Sequence, residues 1–343
     1  MKSAQWFIRL VSAAIVVSTG FFAGCGKTTP SADGGPKPAD RIKLGFIVKQ
    51  PEEPWFQLEW QFAEQAGKDL GFELLKIAGQ DGEKVLTAID NLSANGAKGF
   101  VICTPDVKLG PGITAKAKAN NLKMIAVDDR FIGSDGKPME AVHYLGISAR
   151  KIGNLVGTSL GEEMKRRGWK VEETGCMVVS FDELDTVRDR TEGAVESLTA
   201  SGFPAERIYK APAQKLEIPS CIDAASTLLV QQPAVKNWLI CGGNDTSVLG
   251  GVRATESRGF APANVIGIGI NGTDCIPEFR KDKPTGFHAS VLLLAREHGY
   301  KTAGMLYKWV KDGVEPPLDT RTAGMLITRD TFEKVRAEQG IKD

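Results

Sequence analysis

Histidine is nearly missing from this chain. There are three in 343 residues, at positions 143, 288 and 298. His143, His288 and His298 show no metal-ligand spacing, so no metal centre is expected. No acidic EF-hand loop appears. Excess charge is missing too: 43 Lys and Arg oppose 42 Asp and Glu, for a net charge of +1. That leaves no basic field to attract nucleic acid. None of the six cysteines falls in a CxxC pair. Apart from Cys25, each reads as a small buried residue, and sequence alone does not pair them. Ser180 and Ser290 lack the flanking pattern of a nucleophile elbow. The string Gly267-Ile268-Gly269-Ile270-Asn271-Gly272 matches a dinucleotide fingerprint only superficially. Its first two glycines lie inside a strand pattern, and Leu292 stands near the expected acidic position. Gly26-Lys27-Thr28 has Phe21 where a phosphate-binding loop needs glycine. No cofactor is expected.

Long apolar runs are also missing, with one exception. Leu10 to Ala23 follows Lys2 and Arg9 and is too short to span a bilayer comfortably. It reads as the apolar core of an export signal. It ends in Phe22-Ala23-Gly24-Cys25, which resembles a bacterial lipobox with Phe22 in the place usually held by leucine. Residues 1–24 are therefore expected to be a lipoprotein signal peptide, with Cys25 lipidated. Residues 25–41, rich in Pro, Gly, Ser and Thr, read as a flexible tether.

What remains is an alternation. Strand-like runs at Ile42–Val48, Phe72–Ala78, Gly99–Cys103, Lys123–Val127, Cys176–Ser180, Trp238–Ile240, Val265–Ile270 and Gly286–Val291 are separated by amphipathic stretches. Those stretches include Trp60–Leu70, Glu83–Ala94, Lys151–Arg167, Ala194–Ala200, Ala224–Gln232 and Val248–Arg258. Such a pattern predicts an α/β protein with parallel sheets covered by helices on both faces. The length suits two doubly wound domains, and the two halves repeat the plan.

Polar residues follow the strands with unusual regularity. Lys49 follows the first, Thr104-Pro105-Asp106 a later one, then Asp128-Asp129, Asn244-Asp245 and Asn271-Gly272-Thr273-Asp274. In open parallel sheets, ligands bind beyond the carboxyl ends of the strands. One polar residue there is an ordinary helix cap, the role expected of Thr246 or Thr273. A ring contributed by both halves points to a binding site. After Lys49 come Glu52, Glu53, Trp55 and Phe56, so charge and flat apolar surface occur together. That combination suits a polyol. The paired carboxylates Glu52-Glu53 and Asp128-Asp129 also raise a glycosidase, but neighbours in sequence rarely form an acid–base couple.

The strings KLGFIVKQPEEPWF, AGKDLGF, GAKGFVICTPD, IAVDD, ELDT, SGFPAERIY, VLGGVRATE, IGIGING, VEPP and LITRD carry a resemblance. From about Lys43 to about Gly340 the chain resembles the arabinose-, galactose- and ribose-type periplasmic binding proteins of bacterial ABC transport systems. Within that family, the strings resemble the arabinose-binding branch. The resemblance implies two Rossmann-like lobes joined by a three-segment hinge: 42–147 plus 294–323, and 148–293 plus 324–343. It implies no enzyme activity. It implies a monomer that closes on a monosaccharide and hands it to a permease and ATPase complex. The expected location is the periplasm or cell surface, anchored through Cys25. The alternatives are a sugar sensor feeding a chemoreceptor or sensor kinase, and a binder of another pyranose. A repressor sharing the fold would need a helix-turn-helix where the export signal stands.

The resemblance also implies roles. Lys49 would bond a ring hydroxyl, Glu53 would accept from one, and Glu52 would be solvated or structural. Trp55 would lie against the sugar face and Phe56 would wall the pocket. Cys103 would pack. Asp129 would accept from the anomeric hydroxyl, with Asp128 beside it. Arg190 would donate to the ring oxygen and a neighbouring hydroxyl. Asn244 and Asn271 would donate and accept, and Asp274 would be a further carboxylate. Three positions depart from the pattern: Gly243 and Ile147 replace methionines, and Leu293 replaces a proline. They leave pyranose binding better founded than arabinose preference.

Overall fold

The run after Lys43 forms β1 (Lys43–Val48), buried from Leu44 to Val48. A strand buried on both faces needs neighbours on each side and helices above and below. The computed structural model, which describes residues 41–341, supplies both. The expected signal segment, Cys25 and the tether up to residue 40 lie outside the described residues.

β1 pairs in parallel with β2 (Glu73–Ala78) and β3 (Ala97–Ile102). Beyond β3 come β4 (Lys123–Val127), β5 (Tyr144–Ile147) and β11 (Asp319–Thr322), giving the order β11-β5-β4-β3-β1-β2. A second sheet repeats the plan with β6 (Thr174–Ser180), β7 (Ile208–Pro212), β8 (Asn237–Gly242), β9 (Val265–Asn271), β10 (Phe287–Leu293) and β12 (Gly324–Thr328). Its order is β12-β10-β9-β8-β6-β7, with β12 antiparallel to β10. Strand order reverses between β1 and β3, and again between β6 and β8. Such switch points open a crevice at the carboxyl ends of the strands.

Helices α1 (Pro54–Leu70) and α9 (Thr302–Asp312) cover one face of the first sheet, and α2 (Gly82–Ala94) and α3 (Gly110–Ala119) the other. On the second sheet, α4 (Ala149–Arg166) and α5 (Asp185–Ala200) lie opposite α6 (Ile218–Gln231) and α7 (Asp245–Ser257). The short α8 (Ile276–Phe279) and α10 (Phe332–Glu338) complete the latter layer. The chain passes between the sheets after β5, after β10, and at Ala323, which alone separates β11 from β12. The cysteines at 103, 176, 221, 241 and 275 are free thiols, all buried.

Three helices begin six or more residues earlier than the amphipathic pattern predicts, α6 among them at Ile218 rather than Ala224. The first starts at Pro54 rather than Trp60, because proline fits the first helical position, where no N–H partner is needed. Trp55 and Phe56 therefore sit on a helical turn, not a loop. Another starts at Asp185 rather than Ala194, with an acidic residue in its first turn, favoured by the helix dipole. That puts Arg190 on a helix. Strands β5, β7, β11 and β12 gave no clear sequence signal. β5 and β11 are four residues each, β11 is the polar edge segment DTRT, and β7 is a half-exposed edge.

Close packing of α4 on α5 fixes the backbone of Arg190. A Cβ on Gly153 would collide with the Arg190 carbonyl, whereas one on Gly112 in α3 would meet nothing. Gly153→Ala is expected to cost about 1–3 kcal/mol in denaturant unfolding, through overpacking against backbone that cannot yield. Gly112→Ala is expected to gain about 0.4–1 kcal/mol. Equal effects of the two substitutions would contradict this packing.

Candidate ligand-binding cleft

A cleft of about 260 Å³ opens where the carboxyl ends of the two sheets face each other. Its size lies near the low end for small-molecule pockets, about 300–1,000 Å³. The first half supplies Lys49 and Gln50 after β1, Trp55 and Phe56 from α1, Asp128 and Asp129 after β4, and Ile147 at the end of β5. The second half supplies Thr186, Val187 and Arg190 from α5, Leu216, Gly243 and Asn244 after β8, Asn271 and Thr273 around the end of β9, and Leu293.

Lys49 Nζ donates to Asp129 Oδ2 at 2.5 Å, and Cys103 Sγ lies 3.6 Å from the same oxygen. Burial alone would lower the Lys49 pKa. Cys103 and the Asp129 and Asp128 carboxylates more than reverse that, so the ammonium is held charged. Trp55 Nε1 donates to Asp128 Oδ2 at 3.2 Å, and Tyr144 donates its hydroxyl proton to the Asp128 carbonyl at 2.7 Å. Burial pushes the Asp128 carboxyl up, but His298 and Trp55 outweigh it and hold the group below its ordinary value. Asp128 adopts a positive φ of 64°, and Asn271 one of 118°. Strain of this kind persists where surrounding bonds over-determine it, and it clusters at functional sites.

Arg190 Nη1 donates to the Gly243 carbonyl at 2.7 Å, while its buried Nε has no hydrogen-bond partner. Desolvation lowers its pKa to about 10, which leaves the guanidinium charged at neutral pH. The Arg190 side chain lines the cleft, and a charged donor there suits a ligand acceptor.

Asn244 corrects an expectation. It, not Thr246, caps α7: its Oδ1 accepts from Ser247 N and Thr246 Oγ1, both at 2.9 Å. With both lone pairs of that oxygen engaged, the side chain offers only its N–H donors. Cys103 sits behind Asp129 rather than on the cleft lining. Glu53 is exposed just before α1, and Asp274 is exposed and bonded to Thr273 Oγ1 at 3.3 Å; neither lines the cleft. Val187 occupies the space a side chain at Gly243 would enter.

The residues that hold the ring in place were missed. Asp245, buried at the start of α7, accepts from Gly272, Thr273 and Cys275 N–H at 3.1–3.2 Å and from Ser290 Oγ at 2.5 Å. It thereby ties the Asn271 loop to α7. Glu59, Asp128 and His298 bring ligand atoms within 4.8 Å of one another, close enough in principle for a cation. His298 Nδ1 already lies 2.6 Å from Asp128 Oδ1, however, and that contact engages both atoms. No spacing rule could bring together residues so far apart in the chain.

The family described as "Periplasmic binding proteins and sugar binding domain of LacI family" matches residues 41–335. The chain belongs to this family. Within it, the chain is similar to the L-arabinose-binding periplasmic protein of Escherichia coli K12. The two are 55% identical over 304 residues, covering 88% of this chain and 92% of that one. It is 47% identical over 301 residues to the ABC transporter L-arabinose-binding periplasmic protein of Azospirillum brasilense, covering 88% and 90%. Among solved structures, a periplasmic ribose ABC transporter protein from Conexibacter woesei shares the periplasmic binding protein fold. Its TM-score is 0.75 at 18% identity, covering 88% of this chain and 98% of that one.

Burial pushes the Asp245 carboxyl up to about 7, against the opposing pull of Ser290 and Cys275. A carboxyl raised on folding contributes most in acid, and its contribution is lost as pH rises through the folded value. Thermal melts should therefore show a decline from about pH 4 to 7, between the ordinary aspartate value and the folded one, that Asp245→Asn lacks, although the variant loses the bonds to the loop. Parallel profiles would contradict this.

Proposed function

We propose that the protein captures a monosaccharide in the cleft and delivers it to an ABC-transporter permease. L-Arabinose is the first candidate ligand, with D-galactose and D-fucose next. The observation that carries the reading is the convergence of Lys49–Asp129, the Arg190 guanidinium and the half-buried Trp55 on one small cleft, in a chain closely similar to arabinose-binding proteins. Sugar hydroxyls need charge-assisted partners, and these side chains supply donors and acceptors where water can be excluded. An indole gives the apolar C–H face of a pyranose a flat surface. The relatives it resembles are binding proteins, so binding without turnover is the reading.

The lobes are 42–147 plus 294–323 and 148–293 plus 324–343. They close about the three crossings, and the closed form docks on the permease as a monomer. The chain works outside the cytoplasm, in the periplasm or at the cell surface, held by lipid on Cys25. The permease–ATPase complex, not this chain, turns over ATP.

Titration calorimetry should give one-to-one binding of L-arabinose, with the sugar recovered unaltered. Trp55→Ala should weaken it by about 1–3 kcal/mol, roughly 5- to 150-fold. Arg190→Lys, which keeps the charge but loses the planar fork, should also weaken it, by roughly tenfold or more. Wild-type affinity in both variants would displace the sugar from this cleft.

A further inference from the structure

His298 has no place in the ring of side chains around the cleft, yet it is fully buried directly behind it. It sits in a five-residue π-helical turn, Glu297–Lys301, just after the chain leaves the second sheet. Single π turns within helices often mark functional positions. This one presses on α1, because Gly299 has no Cβ to strike the Glu59 carbonyl. The imidazole thereby reaches two elements at once. Nδ1 lies 2.6 Å from Asp128 Oδ1, and Nε2 lies 2.8 Å from Thr322 Oγ1, the last residue of β11. Thr322 in turn lies 3.4 Å from the Gly146 carbonyl, to which it can donate. The ring edge also meets the Trp55 indole, with centroids 5.1 Å apart.

A continuous path results: β11, Thr322, His298, Asp128, Trp55. It begins one residue before the crossing at Ala323 and ends on the aromatic surface of the cleft. Asp128 stands in a backbone conformation that non-glycine residues rarely adopt, so something must hold it there. Its two carboxylate oxygens have different partners, Oδ1 with His298 and Oδ2 with Trp55.

The charged groups around the imidazole are few. Asp128 faces it from the end of β4, and Glu59 Oε1 lies 3.7 Å away on α1. Lys49, Asp129 and Cys103 stand beyond Asp128. Both Glu59 oxygens are buried with no hydrogen-bond partner, and burial beside Asp128 favours the neutral acid. With Glu59 neutral, one carboxylate faces the imidazole, which can donate to it.

We propose that His298 is a positioning residue: it fixes Asp128, and through it the Trp55 indole, to the strand where the chain crosses between sheets. Orientation of the cleft aromatic is thereby tied to the position of β11, so movement at the crossing is felt at the ligand surface. The inference rests on reading the cleft as a sugar site.

Two variants and one readout that needs no sugar test it. In sugar-free protein, the Trp55 indole N–H should show the downfield proton shift and slow solvent exchange of a bond to a carboxylate. His298→Leu removes both imidazole bonds. It should release that N–H, speeding exchange at least tenfold, and weaken L-arabinose binding roughly 10- to 100-fold. His298→Asn places an amide donor where Nδ1 stood. It should restore the Trp55 signal and part of the affinity, which a general packing role would not predict. An unchanged Trp55 signal in His298→Leu overturns the proposal, whatever happens to affinity. If wild type binds no sugar while the Trp55 signal behaves as described, the sugar reading fails and the positioning role stands. Should the leucine variant not fold, nitrogen-15 spectra of the wild type decide. A hydrogen-bonded Nδ1 proton in slow exchange supports the role, and a solvent-exchanging one refutes it.

Discussion

Charge gathered in a small, half-buried space constrains everything else in this molecule. Lys49, Asp128, Asp129 and Arg190 stand together at the mouths of two sheets, with Glu59, Asp245 and His298 packed just behind. An unpaired charge in such a place is costly, and a network only partly satisfied is worse than an apolar core. Most groups accordingly have a partner, Glu59 aside, which burial favours as the neutral acid: Lys49 on Asp129, Asp128 with His298 and Trp55, Asp245 among three amides and a hydroxyl. Arg190, which lines the cleft, keeps one buried donor, Nε, without a partner. A polar ligand is what would complete it.

The fold exists to hold that ring. Twin sheets with the same strand order aim their carboxyl ends at one crevice, and each ring residue lies at or near a strand end or in the first turns of a helix. Positions on strands and helices are more precise than positions on free loops. Packing is tight where α4 meets α5 at glycine, which sets Arg190, and Asp245 ties down the Asn271 loop. The chain crosses between the two sheets three times.

Much of this was legible in the sequence, for physical reasons. Buried parallel strands are continuous apolar runs, so β1, β6, β8 and β9 could be read directly, and so could the polar residues after them. Lys49, Trp55, Asp129, Arg190 and Asn271 all line the cleft. What could not be read were short or polar edges such as β11, whose pairing is decided by tertiary contact. Nor could the support behind the ring be read. His298 reaches Asp128 across 170 residues, and Asp245 reaches Ser290 across 45. Glu53 and Asp274 show the converse: their sequence context matches the ring, but they stand exposed beside it.

The measurement that bears most directly on the account is a crystal structure of the protein grown with L-arabinose. The account predicts one pyranose in the cleft, its apolar face on Trp55, with Arg190 Nε donating to the ring oxygen and Lys49 and Asp129 on its hydroxyls. An empty cleft at saturating sugar, or sugar bound with Arg190 Nε still unpaired, would contradict it.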